Sequence, residues 1–311
     1  MERRFATEDQ CREYLAALRW PEGFVCPGCG GRKAWPARRG RLICTVCRRQ
    51  TTVTAGTVLQ DSHLSVRLWC RAMWYVTSQK NGASALGLQR VLGLGSYQTA
   101  WTLLHKLRRA MVRPGRDQLS GRVEVDETFV GGVAEGQSGR GCDRKALVII
   151  AAEEYGPAMG RIRMARILDA SSLQLHRFVQ GAVAVGSQVH TDGWKPYQGL
   201  DRLGYRHTVS KLQGLDKNAA TEMLPRVHRV AALLKRWLLG THQGAIAPEH
   251  LDYYLDEFTF RFNRRHSKFR GKLFYRLVQQ AVQVPPVPYQ KLVGGTENEK
   301  HHPLGSVESI G

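Results

Sequence analysis

Acidic residues are scarce in this sequence. Its 311 residues hold 26 Asp and Glu against 46 Lys and Arg, a net charge of +20. Such a bias is large for an enzyme of small molecules and favours a polyanionic partner, with nucleic acid first. Plain solubilising charge rarely needs so great an excess. Long apolar runs are missing as well. The longest, Ala146 to Ala152, is far short of the roughly 20 residues that cross a bilayer, so no membrane association is expected. No secretory signal opens the chain, because residues 1–8 are charged and lack an apolar centre. The cysteine count, 7, is odd, which argues against a secreted disulfide framework and for a reducing cytoplasm. The glycine-rich run Gly131 to Gly141 has no Gly-Lys-Ser/Thr ending and no helix signal after it. That excludes a phosphate cradle and leaves a hairpin loop. No internal repeat is visible. Hydrophobic residues make up 42% of the chain, enough for a sizeable core in two domains, or one with appendages.

Four of the cysteines are placed with a purpose. Cys26-Pro27-Gly28-Cys29 and Cys44-Thr45-Val46-Cys47 give the spacing C-x2-C-x14-C-x2-C. Two such knuckles on facing hairpins set four thiolates tetrahedrally around one Zn²⁺. All four positions are filled and none is left for water, so the zinc is structural. The β-like segments Lys33 to Trp35 and Arg41 to Ile43 fit a zinc ribbon. Its Arg32, Lys33, Arg38, Arg39, Arg41, Arg48 and Arg49 make it a DNA-contact candidate. Cys11, Cys70 and Cys142 fall outside the pattern and read as packing or surface residues.

Helical periodicity covers residues 8–19 with Thr7 as cap, and resumes from about Leu64. A short helix over 83–92, the turn Gly93-Leu94-Gly95 and a Ser96-capped helix to Arg109 make a helix-turn-helix. An ordinary helical hairpin is the plainer alternative. In the second helix Leu103, Leu104 and Leu107 should face inward, leaving Gln98, Thr99 and Lys106 to meet DNA. Pro114-Gly115 then marks a boundary.

Beyond it, Arg122 to Val130 reads as a strand rich in β-formers, yet it carries Glu124, Asp126 and Glu127. A buried carboxylate costs several kcal/mol unless paired or metal-bound. The segment is therefore either a solvated edge strand or a strand that holds a cation. Alternation puts Glu124 on the face of Asp126 and Glu127 on the other. Further strands are expected at Ala146 to Ala152, Arg161 to Leu168, Gln188 to Thr191 and Tyr205 to Val209. A helix is expected over Ser171 to Gln180, stopped by Gly181, and two more over Pro225 to Leu239 and Pro248 to Arg264. Three strands, a helix, a strand and then helices is the order of an RNase H-like α/β domain. Asp126 lies mid-strand and Asp192 at a strand end, where neighbouring strands let two carboxylates share divalent cations. On the helix after them His228 and Lys235 stand 7 residues apart, nearly two turns, and so share a face.

The chain resembles the DDE transposases of bacterial insertion sequences, in the branch with an N-terminal zinc ribbon. The resemblance rests on the four cysteines, on Val123 to Gly132, on Thr191-Asp192-Gly193-Trp194-Lys195-Pro196-Tyr197, on Leu234 to His242, and on Tyr254 to Arg265. It implies an RNase H-like catalytic domain with two Mg²⁺ (or Mn²⁺) ions and cleavage and joining of element ends. It also implies double-stranded DNA as partner, a homo-oligomer on DNA, and a cytoplasmic place at the nucleoid. Asp126 and Asp192 match the first two acids of the family, and Lys235 its helix lysine. The third metal position, usually Glu or Asn, is His228 here, with Glu222 as its rival. The expected domains are 1–60 (helix and ribbon), 61–115 (helix-turn-helix), 116–280 (catalytic) and 281–311 (a disordered tail). Two other readings stand beside this one: a ribbon and helix-turn-helix DNA-binding protein with an inactive α/β part, and a nuclease of the same fold.

Overall fold

The computed structural model describes residues 4–113, 115–131, 145–210, 223–243 and 246–294. The chain forms two compact units, Met1–Arg113 with Ser267–Val293, and Pro114–His266 with Gly294–Gly311.

The first unit opens with α1 (Glu8–Arg19). Thr7 accepts from the Gln10 N–H while the Gln10 side chain bonds back to the Thr7 N–H, a complete capping box. The ribbon follows as an antiparallel sheet of β1 (Ala34–Ala37), β2 (Arg41–Cys44) and β3 (Gln50–Thr52). Then come α2 (Val66–Ser78), α3 (Ala85–Leu92) and α4 (Tyr97–Ala110), each begun by a serine whose hydroxyl accepts a first-turn N–H. Glu8 adds two further bonds to the start of α2, at Val66 N and Arg67 N. Gly93 ends α3 in the left-handed region, φ 65°, which glycine adopts without strain. Leu103, Leu104 and Leu107 are buried as expected, and Gln98 is exposed. Lys106 is not free to meet DNA. It is buried, and its ammonium donates to Gln60 O at 2.9 Å, because α4 packs against the segment before α2 on that side.

Residues 267–293 correct the expected boundary at 280. The helices α8 (Arg270–Ala281) and α9 (Tyr289–Val293) belong to the first unit. The stripe Leu273, Phe274, Leu277 and Val278 is buried, and the Phe274 ring meets Phe5, Tyr14 and Trp74. Burial of such a stripe decides membership, at about 1.5–3 kcal/mol for each large apolar side chain. Residues 289–293 are helical within the segment expected to be a tail, and 295–311 lie outside the described residues.

The second unit is built on a five-stranded sheet: β4 (Arg122–Val130), β5 (Ala146–Tyr155), β6 (Ala158–Ile167), β7 (Gln188–Thr191) and β8 (Arg206–Val209). The spatial order is β6-β5-β4-β7-β8. The first three pair antiparallel, while β7 runs parallel to β4, and β8 parallel to β7. One face packs on α5 (Ser172–Ala182), through Val123, Val125, Ile149 and Phe178. Gly181 does not stop α5, which runs one residue past it. The other face packs on α6 (Pro225–His242) and α7 (Leu251–Phe262), through Val148, Ile150, Val230, Leu234 and Phe258. Apolar residues thus cover both faces, and β4 is a central strand, not a solvated edge. At the true edge, Asn263 beyond α7 accepts from Ile162 N at 2.7 Å and donates to Ile162 O at 3.1 Å. No described helix is long and apolar enough to cross a membrane.

Candidate functional site

The first unit carries the four-cysteine cluster. The Sγ atoms of Cys26, Cys29, Cys44 and Cys47 all lie within 4.8 Å of one another, with 3.6 Å between Cys26 and Cys47 and between Cys29 and Cys44. A tetrahedron with Zn–S bonds of about 2.3 Å has edges of about 3.8 Å, so the cluster fits zinc. The backbone N–H of Gly28 lowers Cys26 to about 6, so one thiolate is ready near neutral pH. The ribbon's seven Arg and Lys are all exposed, and the Arg48 guanidinium lies 4.5 Å from the centre of the Trp35 ring.

The second unit gathers the other candidates. Parallel pairing sets Glu124 beside His190; two residues further along each strand stand Asp126 and Asp192. Gly193 makes the turn after Asp192 at φ 81°, and a Cβ there would come within 2.6 Å of Val209. The Asp192 Oδ1 accepts from Trp194 N at 3.0 Å, which fixes the carboxylate. Alternation along β4 sends Glu124, Asp126 and Thr128 to the face covered by α6, while Glu127 turns the other way and accepts from the Tyr197 hydroxyl at 2.8 Å. Burial raises Asp126 to about 7, and the charges of Glu127, Asp192 and Glu124 add to the rise. Carboxylates that repel one another at partial burial are poised for a cation.

His228 and Lys235 come from α6. The His228 Nδ1 lies 3.9 Å from the Asp126 carboxylate. Its Nε2 is buried with no hydrogen-bond partner among the described residues. Burial lowers the pKa of His228, so the ring is neutral at pH 7, as ligation requires. Lys235 donates to the Thr128 hydroxyl at 2.8 Å. Two carboxylates and a neutral imidazole whose Nδ1 faces one of them suit a divalent cation. The set is more open than the cysteine cluster, the one group of three or more ligand atoms among the described residues that closes within 4.8 Å. Beside Asp126 and Asp192 opens a cavity of about 580 Å³, walled by Phe129, Leu147, Ile167 and Trp194 with Lys145 and Arg166. Glu222 lies outside the described residues, as do Cys142 and the loop from Gly132.

Alternation along β4 already marks Thr128, as it marks Glu124. Arg226 carries no sequence signal; its guanidinium meets Glu124 at 2.8 Å and Glu154 at 3.0 Å only through the fold. Of the basic stretch 261–276, Arg261 pairs with the buried Glu257, Arg264 lies over Phe260, and Arg265 donates to the carbonyls of Met159 and Gly160. These three serve the second unit. Lys268, Arg270, Lys272 and Arg276 are exposed on the first.

Residues 118–263 match the ISXO2-like transposase domain, and residues 6–50 match the transposase zinc-ribbon domain. Between them they cover well over half of the chain, which belongs to the insertion-sequence transposases that carry an N-terminal zinc ribbon. It is similar to the uncharacterized protein in transposable element ISH50 of Halobacterium salinarum (strain ATCC 700922 / JCM 11081 / NRC-1). The two are 26% identical over 280 residues, spanning 83% of this chain and 91% of the relative. The transposase-domain match ends at 263, in keeping with a second unit that closes at His266 rather than 280.

Proposed function

We propose that this chain is an insertion-sequence transposase that binds element ends and catalyses metal-dependent DNA cleavage and strand transfer. The observation that carries the reading is the meeting of Asp126, Asp192 and His228 on two parallel strands and one covering helix. The order β6-β5-β4-β7-β8, antiparallel on one side of β4 and parallel on the other, supports an RNase H-like domain. Asp126, Asp192 and His228 would hold Mg²⁺ or Mn²⁺, which when bound neutralises phosphate charge and favours ionisation of the attacking hydroxyl. In the first step a water oxygen bonds to phosphorus as the bond to the element's 3′ oxygen breaks. In the second the freed 3′-hydroxyl bonds to a target phosphorus and displaces the target's own 3′ oxygen. Lys235, held by Thr128 two turns beyond His228, would donate to a phosphate oxygen.

DNA would be gripped by the first unit and the chemistry carried by the second. The exposed start of α4 (Ser96 to Gln98), as second helix of a helix-turn-helix, suits a major groove, and the ribbon's arginines suit phosphates. Two ends and a target call for a homo-oligomer on DNA, working in the cytoplasm at the nucleoid. Labelled element-end DNA incubated with protein, Mg²⁺ and target DNA tests the reading, with joined product expected. Cutting without joining would make the protein a nuclease, and binding without cutting a DNA-binding protein with an inactive α/β unit.

Two further results are expected. Binding of element ends should weaken steeply with salt, because each phosphate contact releases about 0.9 counterion; five contacts give a log–log slope of about −4.5. A flat plot from a salt titration would contradict this. At limiting Mg²⁺, cleavage should also fall as pH drops through about 7. Asp126, raised to about 7, must lose its proton to bind metal, whereas burial lowers His228 and so favours its neutral form. Raising Mg²⁺ should move the midpoint to lower pH. A midpoint fixed near pH 4 at every Mg²⁺ concentration would show that Asp126 is not the titrating ligand.

A further inference from the structure

Helix α6 brings His228 to the site, yet it starts without a cap of its own. Leu224 stands at the cap position and offers no side-chain bond, and Pro225 follows. A helix start leaves its first N–H groups unpaired, and a carboxylate there also meets the positive end of the helix dipole. Here the carboxylate arrives from the sheet. Glu124, 4% exposed on β4, accepts from Arg226 N at 2.7 Å and from Val227 N at 3.0 Å through one oxygen. Its other oxygen takes the Arg226 guanidinium at 2.8 Å. The next residue of α6 is His228, and the residue two along β4 is Asp126. One side chain therefore ties together the backbones that carry two of the candidate ligands.

We infer that Glu124 is a positioning residue: by capping α6 from β4 it fixes the height of His228 against Asp126, and so the metal affinity of the site. The inference rests on the proposed reading of Asp126 and His228 as ligands. Glu124 itself is committed to N–H groups and a guanidinium and acts through the helix. Helices fray at uncapped ends, and a His displaced by one residue's rise, about 1.5 Å, no longer meets the metal that Asp126 holds. Loss of such supporting contacts typically costs 10- to 100-fold in metal affinity.

The test reads Mn²⁺ binding to the full-length protein by electron paramagnetic resonance, beside thermal melting and cleavage of element-end DNA. Glu124→Ala is expected to raise the Mn²⁺ dissociation constant by about 10-fold or more, with the sheet retained by circular dichroism. Glu124→Gln, whose amide oxygen still accepts from both N–H groups, should restore most of the affinity. Arg226→Met, which keeps the backbone bonds and loses the guanidinium, should melt lower and bind Mn²⁺ as the wild type does. Glu124→Ala that melts lower with unchanged Mn²⁺ affinity would overturn the inference, because the cap would then be structural only. Glu124→Gln as weak as Glu124→Ala would also overturn it, because the carboxylate itself would be the ligand. Should the wild type bind Mn²⁺ through Asp126 but cut no DNA, the transposase reading falls while this inference stands. If Asp126→Ala binds Mn²⁺ normally, the reading of the site has failed first.

Discussion

Asp126→Ala and Asp192→Ala should each lower cleavage of element-end DNA by at least about three orders of magnitude, the scale on which removed catalytic groups act. Affinity for the ends should hardly change. The reason is that the two sets of groups belong to different units. Both carboxylates sit at the end of the β4–β7 pair in the second unit, whereas the exposed arginines of the ribbon and the start of α4 lie in the first. The melting curve supplies a second readout. Asp126 is raised to about 7 by burial and by neighbouring negative charge, so above that pH the metal-free fold carries an ionised group it disfavours. Asp126→Asn should therefore melt higher than the wild type at pH 8 without metal, and lose the stabilisation that Mg²⁺ gives. A gel showing substantial Mg²⁺-dependent cutting by either alanine variant would remove these residues from the chemistry.

The other large effect concerns the ribbon. Cys29→Ser should release zinc and unfold the ribbon around it, not the whole of the first ~60 residues expected from the sequence, because structural zinc contributes about 10–16 kcal/mol of apparent binding energy that doubles as folding energy. Within the ribbon little else holds the chain, since β1, β2 and β3 have only four, four and three residues, whereas α1 is tied to α2 by Glu8 and to α8 by Phe5 and Tyr14. Zinc content by atomic absorption should fall below one per chain, and end binding should drop more than about tenfold. Amide exchange in β4 and β5, which are covered by α5, α6 and α7, should stay slow. Wild-type ribbon that keeps its slow-exchanging amides after complete chelation would refute the structural role.

Much of the fold lies in local pattern. The cysteine spacing is a distance constraint written along the chain, and its four sulfurs meet as it requires. Ser96 marks a helix start because its hydroxyl answers a purely local need; Ser65 and Ser84 cap α2 and α3 in the same way, one or two residues after the starts that periodicity alone suggested. Alternation on β4 separates Glu127 from Asp126, and the 7-residue step from His228 to Lys235 keeps both on the face of Asp126 and Thr128. What pattern did not reveal was tertiary choice. Lys106 has a solvent-type side chain in a solvent-type helix position, and only the approach of Gln60 buries it. The stripe of α8 declares that it will be buried and says nothing of which core receives it. The capping role of Glu124 needs a helix start brought up from 102 residues away.

A single side chain at the rim of the large sheet governs what this protein refuses. The outer edge of β6 offers peptide groups to any passing strand, and such edges invite other chains to add on. At Ile162 the offer is already taken, since the Asn263 carboxamide has the donor and acceptor of a peptide group and satisfies both. A foreign strand cannot zip onto the sheet through that point. Runaway strand stacking meets a plug in the middle of the edge.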